Sequence, residues 1–266
     1  MTSHRSFSSY LVTPSELSEA LKKNPPSKIS TSPRTVALCS TWFLPTSPLN
    51  GLQTFREKRI PSSRFFDLDK VSDKRSPYPH MLPDAKTFAS AMSALGIRRD
   101  DTVVVYDSHE QGLFKGYPTE SGEFWDVDTC VYPIPQLDES KVADFEEVCG
   151  IIKDTGKEGA EGVQILDARS YGRWAGKDPE PRAGMASGHM KDFVTRGSIK
   201  EDIESKGVDP TKPVVSSCGT GVTATIIDAA LAEAYGEEGV RKIYDGSWTE
   251  FAQRSKISDG LIVKEE

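Results

Sequence analysis

The apolar positions of this chain fall into two alternating patterns. Short runs rich in β-branched and aromatic residues predict strands: "RTVALCSTWFL" (34–44), "DTVVVYD" (101–107), "GVQILDARS" (162–170), "PVVSSC" (213–218) and "VRKIYDGSW" (240–248), the last strand of the chain. Longer stretches with apolar residues three and four apart predict helices. "PDAKTFASAMSALGI" (83–97) sets Phe88, Met92 and Leu95 on one face and ends at Gly96. "VTATIIDAALAEAYG" (222–236) is a second helix. Strands alternating with helices predict an α/β architecture, in which "DTVVVYD" is expected to be a buried strand. Between the halves, "KGYPTESGEFWDVDTCVYPIPQLDES" (115–140) is rich in Pro, Gly, Ser and acids and is the expected linker.

The two halves also resemble each other. "LGIRRDDTVVVYD" (Leu95–Asp107) aligns without a gap with "KGVDPTKPVVSSC" (Lys206–Cys218): glycine under glycine, a polar turn under a polar turn, then a Val-rich strand. In this register Asp107 stands where Cys218 stands. A duplicated fold with its chemistry in the second copy is the simplest reading; a chance match of two helix–turn–strand units is the alternative.

Composition narrows the classes. A chain of 266 residues with 36% hydrophobic content can build two modest domains or one large one. A net charge of −7 argues against a surface that coats nucleic acid, and no apolar run is long enough to span a membrane. Cys39, Cys130, Cys149 and Cys218 show neither CxxC nor Cys/His metal spacing, which argues for a reduced compartment and no metal site. The start, "MTSHRSFSSYLV", has one arginine, one histidine, four serines and no acid before Glu16. It reads equally as the stub of a mitochondrial presequence and as a short disordered tail.

The chemistry centres on "VVSSCGTGVTATIIDAALAEAYG" (214–236), where a single cysteine sits between a strand and a helix. Free cysteine is commonly a buried structural thiol. At this position, however, a thiol faces the first free N–H groups of the helix and the positive end of its dipole, and both favour the thiolate. Gly219 and Gly221 let the backbone from Gly219 through Val222 curl so that successive N–H groups converge, and Thr220 and Thr223 add hydroxyls. Cysteine phosphatases grip phosphate with an arginine at the end of such a loop. Here Ala224 holds that place and no arginine occurs between Cys218 and Arg241, which disfavours phosphatase chemistry. Sulfur transfer needs only a nucleophilic thiolate and donors that stabilise a persulfide.

With the downstream "YDGSW", the loop "CGTGVTA" resembles the active-site loop and following strand of the rhodanese superfamily, closest to the 3-mercaptopyruvate sulfurtransferases. The segments "RIPSSRFFDLDKVSDKRSPYPHMLP" and "LDARSYGRWAGKDPEPRAGMASGH" agree, and the likeness covers most of residues 8–263. It implies tandem rhodanese-like domains, each a mainly parallel five-stranded sheet with helices on both faces: an N-terminal domain over 8–118, a linker over 119–140 and a catalytic domain over 141–266. It also implies that the active site lies between the domains and needs no cofactor or metal. Cys218 matches the nucleophile that becomes the persulfide. Thr220 and Thr223 match loop hydroxyls, and Gly219, Gly221 and Val222 match the substrate-binding loop backbone. Arg173 in "GRW" and Arg182 in "PEPR" match the pair that grips the carboxylate and keto group of the substrate, a planar group suited to guanidinium forks. Asp69 and His80 match a polar pair of the first domain that assists proton handling. On the residues alone, an arginine followed by acids reads as a surface ion pair, and His80 between Pro79 and Met81 reads as a turn cap.

Relatives that use thiosulfate carry basic residues directly after the cysteine; Gly219 and Thr220 are neutral, which favours 3-mercaptopyruvate as donor. The resemblance implies a thiol, thioredoxin-type or cyanide acceptor, a sulfur relay to proteins of tRNA thiolation as in eukaryotic relatives, no direct nucleic-acid or membrane contact, and a mitochondrial or cytoplasmic location.

Two family segments are missing. After Phe114 a helix and a strand, roughly two dozen residues at typical lengths, are absent before Lys115. After "SGHM" the chain runs on as "KDFVTRGSIKEDIESKG", again short of an element and its loop. In a sheet of order 3-2-4-5-1, the first domain is expected to lack a central strand and the second an edge strand. An inactive or crippled variant acting as a binding module is therefore the alternative to an active sulfurtransferase.

Overall fold

In a computed structural model the described residues are 7, 9–26, 30–108, 118–124, 127–191, 193–195, 207–236 and 238–265. They divide into two units: residues up to Ser72 together with Pro83–Gln136, and Asp73–Leu82 together with Leu137 onward.

The first unit is built on three parallel strands in the order β2-β1-β3: β1 (Thr35–Cys39), β2 (Arg64–Phe65) and β3 (Thr102–Tyr106). All five residues of β1 are buried, as the uninterrupted apolar run requires of a strand covered on both faces. Leu17 of α1 (Pro14–Lys22) and Phe55 of α2 (Gly51–Glu57) pack on one face with Ala37 and Cys39. Met92 of α4 (Ala85–Ala94) and Ile97 pack on the other with Val36 and Leu38. Between α2 and α4 lies the single turn α3 (Leu68–Val71). Helix α4 starts where Asp84 accepts the Thr87 N–H and stops before Gly96, whose φ of +61° is the left-handed stop the sequence anticipates. Residues 118–124 and 127–136 pack against this unit: Arg59 is paired with Glu120, and Tyr132 meets Phe88 edge to face.

In the second unit the sheet order is β4-β9-β8-β5-β7, with every neighbouring pair parallel: β4 (Val142–Ala143), β5 (Gln164–Asp167), β7 (Phe193–Thr195), β8 (Val214–Ser217) and β9 (Arg241–Tyr244). This is the 3-2-4-5-1 order, with β8 in the centre. Helices α5 (Phe145–Asp154), α7 (Ala224–Tyr235) and α8 (Ser247–Arg254) supply cover, and α6 (Tyr171–Trp174) is a single turn after β5. Strand β6 (His189–Met190) pairs antiparallel with β10 (Ile262–Val263). The core gathers Val148, Ile165, Val215, Tyr244, Trp248 and Phe251.

The internal repeat is structural. Gly207 takes φ +80° as Gly96 takes φ +61°, and strands β8 and β3 follow in the same register. Yet β8 is paired on both sides and fully buried, whereas β3 pairs with β1 alone among the described residues.

Three expectations need correction. "DTVVVYD" forms a strand but not a buried one: Val103 is 37% and Val105 62% exposed, because no strand or helix of the described residues covers that side. The edge strand expected to be missing from the second domain is present as β7. An edge needs only one ladder, and Phe-Val-Thr, with high β-propensity, supplies it two residues beyond "SGHM". Finally, "VRKIYDGSW" is a strand only to Tyr244; Ser247 and Trp248 open helix α8, and β10 follows later. The junction between Phe114 and Lys115 lies outside the described residues.

Candidate active site

Parallel strands deliver their loops to one edge of the sheet, and ligands of such sheets collect beyond the carboxyl ends. Register places Asp167, the last residue of β5, opposite Ser217, the last of β8. The segments after both strands therefore meet, and Cys218 is the first residue beyond the edge. It is held on both sides of its peptide unit: its N–H donates to Ser247 Oγ at 3.1 Å and its C=O accepts from Trp248 N–H at 3.0 Å. Thr249 anchors the next carbonyl, of Gly219, through its N–H at 3.0 Å and its hydroxyl at 2.6 Å.

The loop then curls. Gly221 has φ +81°, and a Cβ there would lie 2.8 Å from the Asp245 carbonyl oxygen, so the position excludes side chains twice over. The N–H groups of Gly219, Thr220, Gly221, Val222 and Thr223 donate to no oxygen acceptor among the described residues, while the carbonyls of Val222 and Thr223 already receive the first amides of α7. Five successive donors of this kind, directly after a buried cysteine, can serve as a cradle for negative charge.

The other sequence candidates are placed as follows. Thr220 is buried and its hydroxyl lies 3.2 Å from His80 Nδ1. His80 is buried with φ +66°, and its segment belongs to the second unit, although the sequence assigned it to the first domain. Thr223 is the exposed N-cap of α7 and makes no side-chain cap. Arg173 lies on α6 with Nη2 beside the loop, 3.5 Å from where a Cβ on Gly219 would be. Arg182 is half-buried in the bend that follows. Asp69 is on α3 of the first unit, exposed, accepting from Trp42 Nε1 at 3.1 Å. Among the described residues, no three His, Cys, Asp or Glu side chains are grouped to hold a metal ion.

Several site residues were not anticipated. Ser247 and Thr249 fix the cysteine backbone. Asp167, Arg169 and Glu180 form a buried ionic chain that ends on Arg173. The acid between two prolines in "PEPR" was its only sequence signal. Asp245 accepts the Leu82 N–H at 3.0 and 3.3 Å and so ties down the segment carrying His80.

Burial, aided by the charges of Glu250 and Asp73, pushes the Asp245 carboxyl above the usual aspartate range. The folded chain thus favours the neutral acid, and the associated stability is present at low pH and lost as pH rises past the ordinary aspartate value. Asp245→Asn keeps an acceptor for Leu82 without the buried charge. Its Tm is expected to exceed the parent's at neutral pH, with the gap closing below about pH 4. Thermal melts across that range check this; a variant less stable than the parent at neutral pH would show that the charge itself holds the segment.

No family model matches the chain. It is 34% identical over 273 positions to a probable 3-mercaptopyruvate sulfurtransferase of Schizosaccharomyces pombe, covering 86% of this chain and 90% of that one. To the thiosulfate sulfurtransferase TUM1 of Saccharomyces cerevisiae it is 34% identical over 281 positions, covering 84% and 90%. The crystal structure of that Tum1 protein superposes with a TM-score of 0.81 over 96% of this chain and 98% of that one at 29% identity. A yeast mitochondrial complex I sub-stoichiometric sulfur transferase subunit superposes with a TM-score of 0.78 at 31% identity, over 96% and 99%. Both sequence alignments are longer than the stretch of this chain they cover, which is the mark of segments that the relatives have and this chain lacks.

Proposed function

This chain belongs to the rhodanese-fold family of 3-mercaptopyruvate and thiosulfate sulfurtransferases, and on that premise we propose that it moves sulfur from 3-mercaptopyruvate, through a persulfide on Cys218, to a thiol acceptor. The five free N–H groups that follow Cys218 carry the proposal, because they can stabilise both the attacking thiolate and the persulfide anion.

The Cys218 thiolate attacks the donor sulfur, the C–S bond breaks, and its electron pair leaves on carbon as the enolate of pyruvate. A proton supplied across the Thr220–His80 contact converts the enolate to pyruvate. An acceptor thiolate, a small thiol or a thioredoxin-type protein, then attacks the outer sulfur and returns Cys218 as the thiolate. Arg173 and Arg182 grip the carboxylate and keto oxygen of the donor, with Arg173 supported in this role by its place beside Gly219. Asp69 contributes to proton handling. The catalytic domain is 141–266. The yeast mitochondrial subunit supports a mitochondrial setting; delivery to tRNA-thiolation proteins is the downstream use we favour.

Intact-mass measurement after donor treatment tests the reading: the parent should gain the mass of one sulfur atom at Cys218. Donor choice is a second test. The loop side chains Gly219, Thr220, Gly221 and Val222 bear no positive charge for a thiosulfate dianion. The kcat/KM for 3-mercaptopyruvate is therefore expected to exceed that for thiosulfate by at least about tenfold, or ~1.4 kcal/mol. Arg182→Ala should raise KM for 3-mercaptopyruvate more than for thiosulfate. Equal use of both donors would remove the assignment of donor. The uncovered strand β3 favours a second reading, a chain with a reactive Cys218 and impaired turnover.

A further inference from the structure

A buried ionic chain runs from the sheet to the cysteine loop. Asp167, at the end of β5, binds Arg169 through Nη2 at 2.7 Å and Nε at 2.9 Å. Arg169 also donates to the Gly188 carbonyl at 2.9 Å, and its guanidinium lies over the Trp248 ring at 4.2 Å. From its other edge, Nη1 reaches Glu180 Oε1 at 2.8 Å. Glu180 turns its second oxygen to Arg173, accepting from Nη2 at 2.5 Å and Nε at 3.2 Å. The Glu180 side chain is 2% exposed and that of Arg173 23%. Arg173 Nη1 donates to no acceptor among the described residues, so one side of the guanidinium is clamped and the other is available.

Buried ion pairs are a poor means of gaining stability, since desolvation offsets much of the attraction. They do fix geometry. Arg173 stands on a helix of a single turn, too short to hold a long side chain in place by itself, and a binding group needs placement to within roughly 0.5 Å. Glu180 is itself stiffened by Pro179 and Pro181, which restrict the backbone on either side.

We propose that Glu180 is a positioning residue: it holds Arg173 at the cysteine loop, in the orientation that receives the carboxylate of the donor, by bridging it to Arg169 and Asp167. This rests on the reading of Arg173 as the carboxylate grip. Two opposing effects are separable. If Glu180 acted mainly by neutralising Arg173, its removal would tighten anion binding; if it positions Arg173, removal weakens it.

The test is a double-mutant cycle on the full chain with Glu180→Ala, Arg173→Ala and the double variant. Glu180→Ala is expected to raise KM for 3-mercaptopyruvate about tenfold with kcat within about threefold. In the Arg173→Ala background the same change should add nothing. A second readout does not require turnover: the ratio of Cys218 alkylation by iodoacetate, a carboxylate, to that by neutral iodoacetamide. This ratio should fall to the same level in all three variants while the iodoacetamide rate stays at the parent value. Glu180→Gln, which fills the same volume but can accept from only one arginine, should fall between parent and Ala, and it serves if Ala melts at the assay temperature. Additive losses in the cycle, an unchanged or lower KM, or an unchanged alkylation ratio would overturn the proposal. A parent that forms no persulfide, yet shows the alkylation pattern above, would overturn the proposed function and leave the Glu180–Arg173 relation standing.

Discussion

Cys218→Ser is expected to abolish sulfur transfer, a loss of about a thousandfold or more, while the variant melts close to the parent. The hydroxyl is a poor nucleophile at neutral pH and cannot carry a sulfur atom as a persulfide does. The backbone around position 218 is set by Ser247, Trp248 and Thr249, none of which contacts the sulfur in doing so, and the fold therefore has little stake in the thiol. The four cysteines provide an internal control. Cys39 and Cys218 are equally inaccessible, 0% and 1% exposed, so a difference in their alkylation rates reports thiolate character rather than access. Cys39 shares a hydrogen bond with the Thr41 hydroxyl, whereas Cys218 precedes the free N–H groups of its loop. Burial pushes the thiols of Cys130 and Cys149 up. Near neutral pH, site-resolved iodoacetamide labelling should therefore find Cys218 the fastest of the four. Labelling that places Cys218 slowest in the folded protein would refute its assignment as nucleophile.

The second large effect concerns the first unit. Its strand β3 is the counterpart of β8, which has β5 on one side and β9 on the other. Among the described residues β3 has only β1, and Val103 and Val105 lie open where the matching Val214 and its neighbours are sealed. Among the described residues, the open side of β3 is uncovered apolar surface. Burying a valine fully is worth about 1.5–3 kcal/mol, so two incompletely covered valines are a sizeable part of a typical net stability of roughly 5–15 kcal/mol. Asp69 sits in this unit, and the contribution proposed for it depends on the order there. Turnover of 3-mercaptopyruvate is expected to lie at least about tenfold below that of full-length relatives. Inserting a relative's segment between Phe114 and Lys115 should restore both a cooperative melt of the first unit and activity. A parent that already melts cooperatively and turns over at roughly 1–10³ s⁻¹ would show that the first unit closes its sheet by other means.

What could be read from the sequence was what depends on neighbours along the chain. The end of α4 followed from Gly96, the strands β1, β5 and β8 from apolar runs, and the cysteine loop from its glycines. The strand order followed from the resemblance, and the place of Cys218 at a strand end from the apolar run before it. What could not be read depends on tertiary approach. Glu180 meets Arg169 and Arg173 only because the segment after α6 folds back, and a charge in a Pro-rich stretch otherwise reads as surface. Asp245 and Ser247 look like a turn after a strand until Leu82 and Cys218 come to them. The exposure of Val103 and Val105 was hidden for the opposite reason: three consecutive valines read as covered, and the covering elements are not among the described residues. Strand β7 was overlooked because three residues are too few for a periodic pattern.

The two-residue ladder between β6 and β10 makes the active-site loop part of a closed circuit. Met190 faces Ile262, both buried, and Lys191 N–H binds the Leu261 carbonyl at 3.0 Å. Everything that builds the cysteine cradle, from β7 and β8 through α7 and β9 to the Ser247 and Thr249 anchors, lies on the chain between those two residues. The ladder is thus the neck of a lasso, and closing a loop of roughly 70 residues costs about 4 kcal/mol of chain entropy. That cost is met once, when the unit folds. Opening the neck would release the loop at its two ends, so protection from amide exchange at Met190 and Ile262 and order at Cys218 should fall together under mild denaturant.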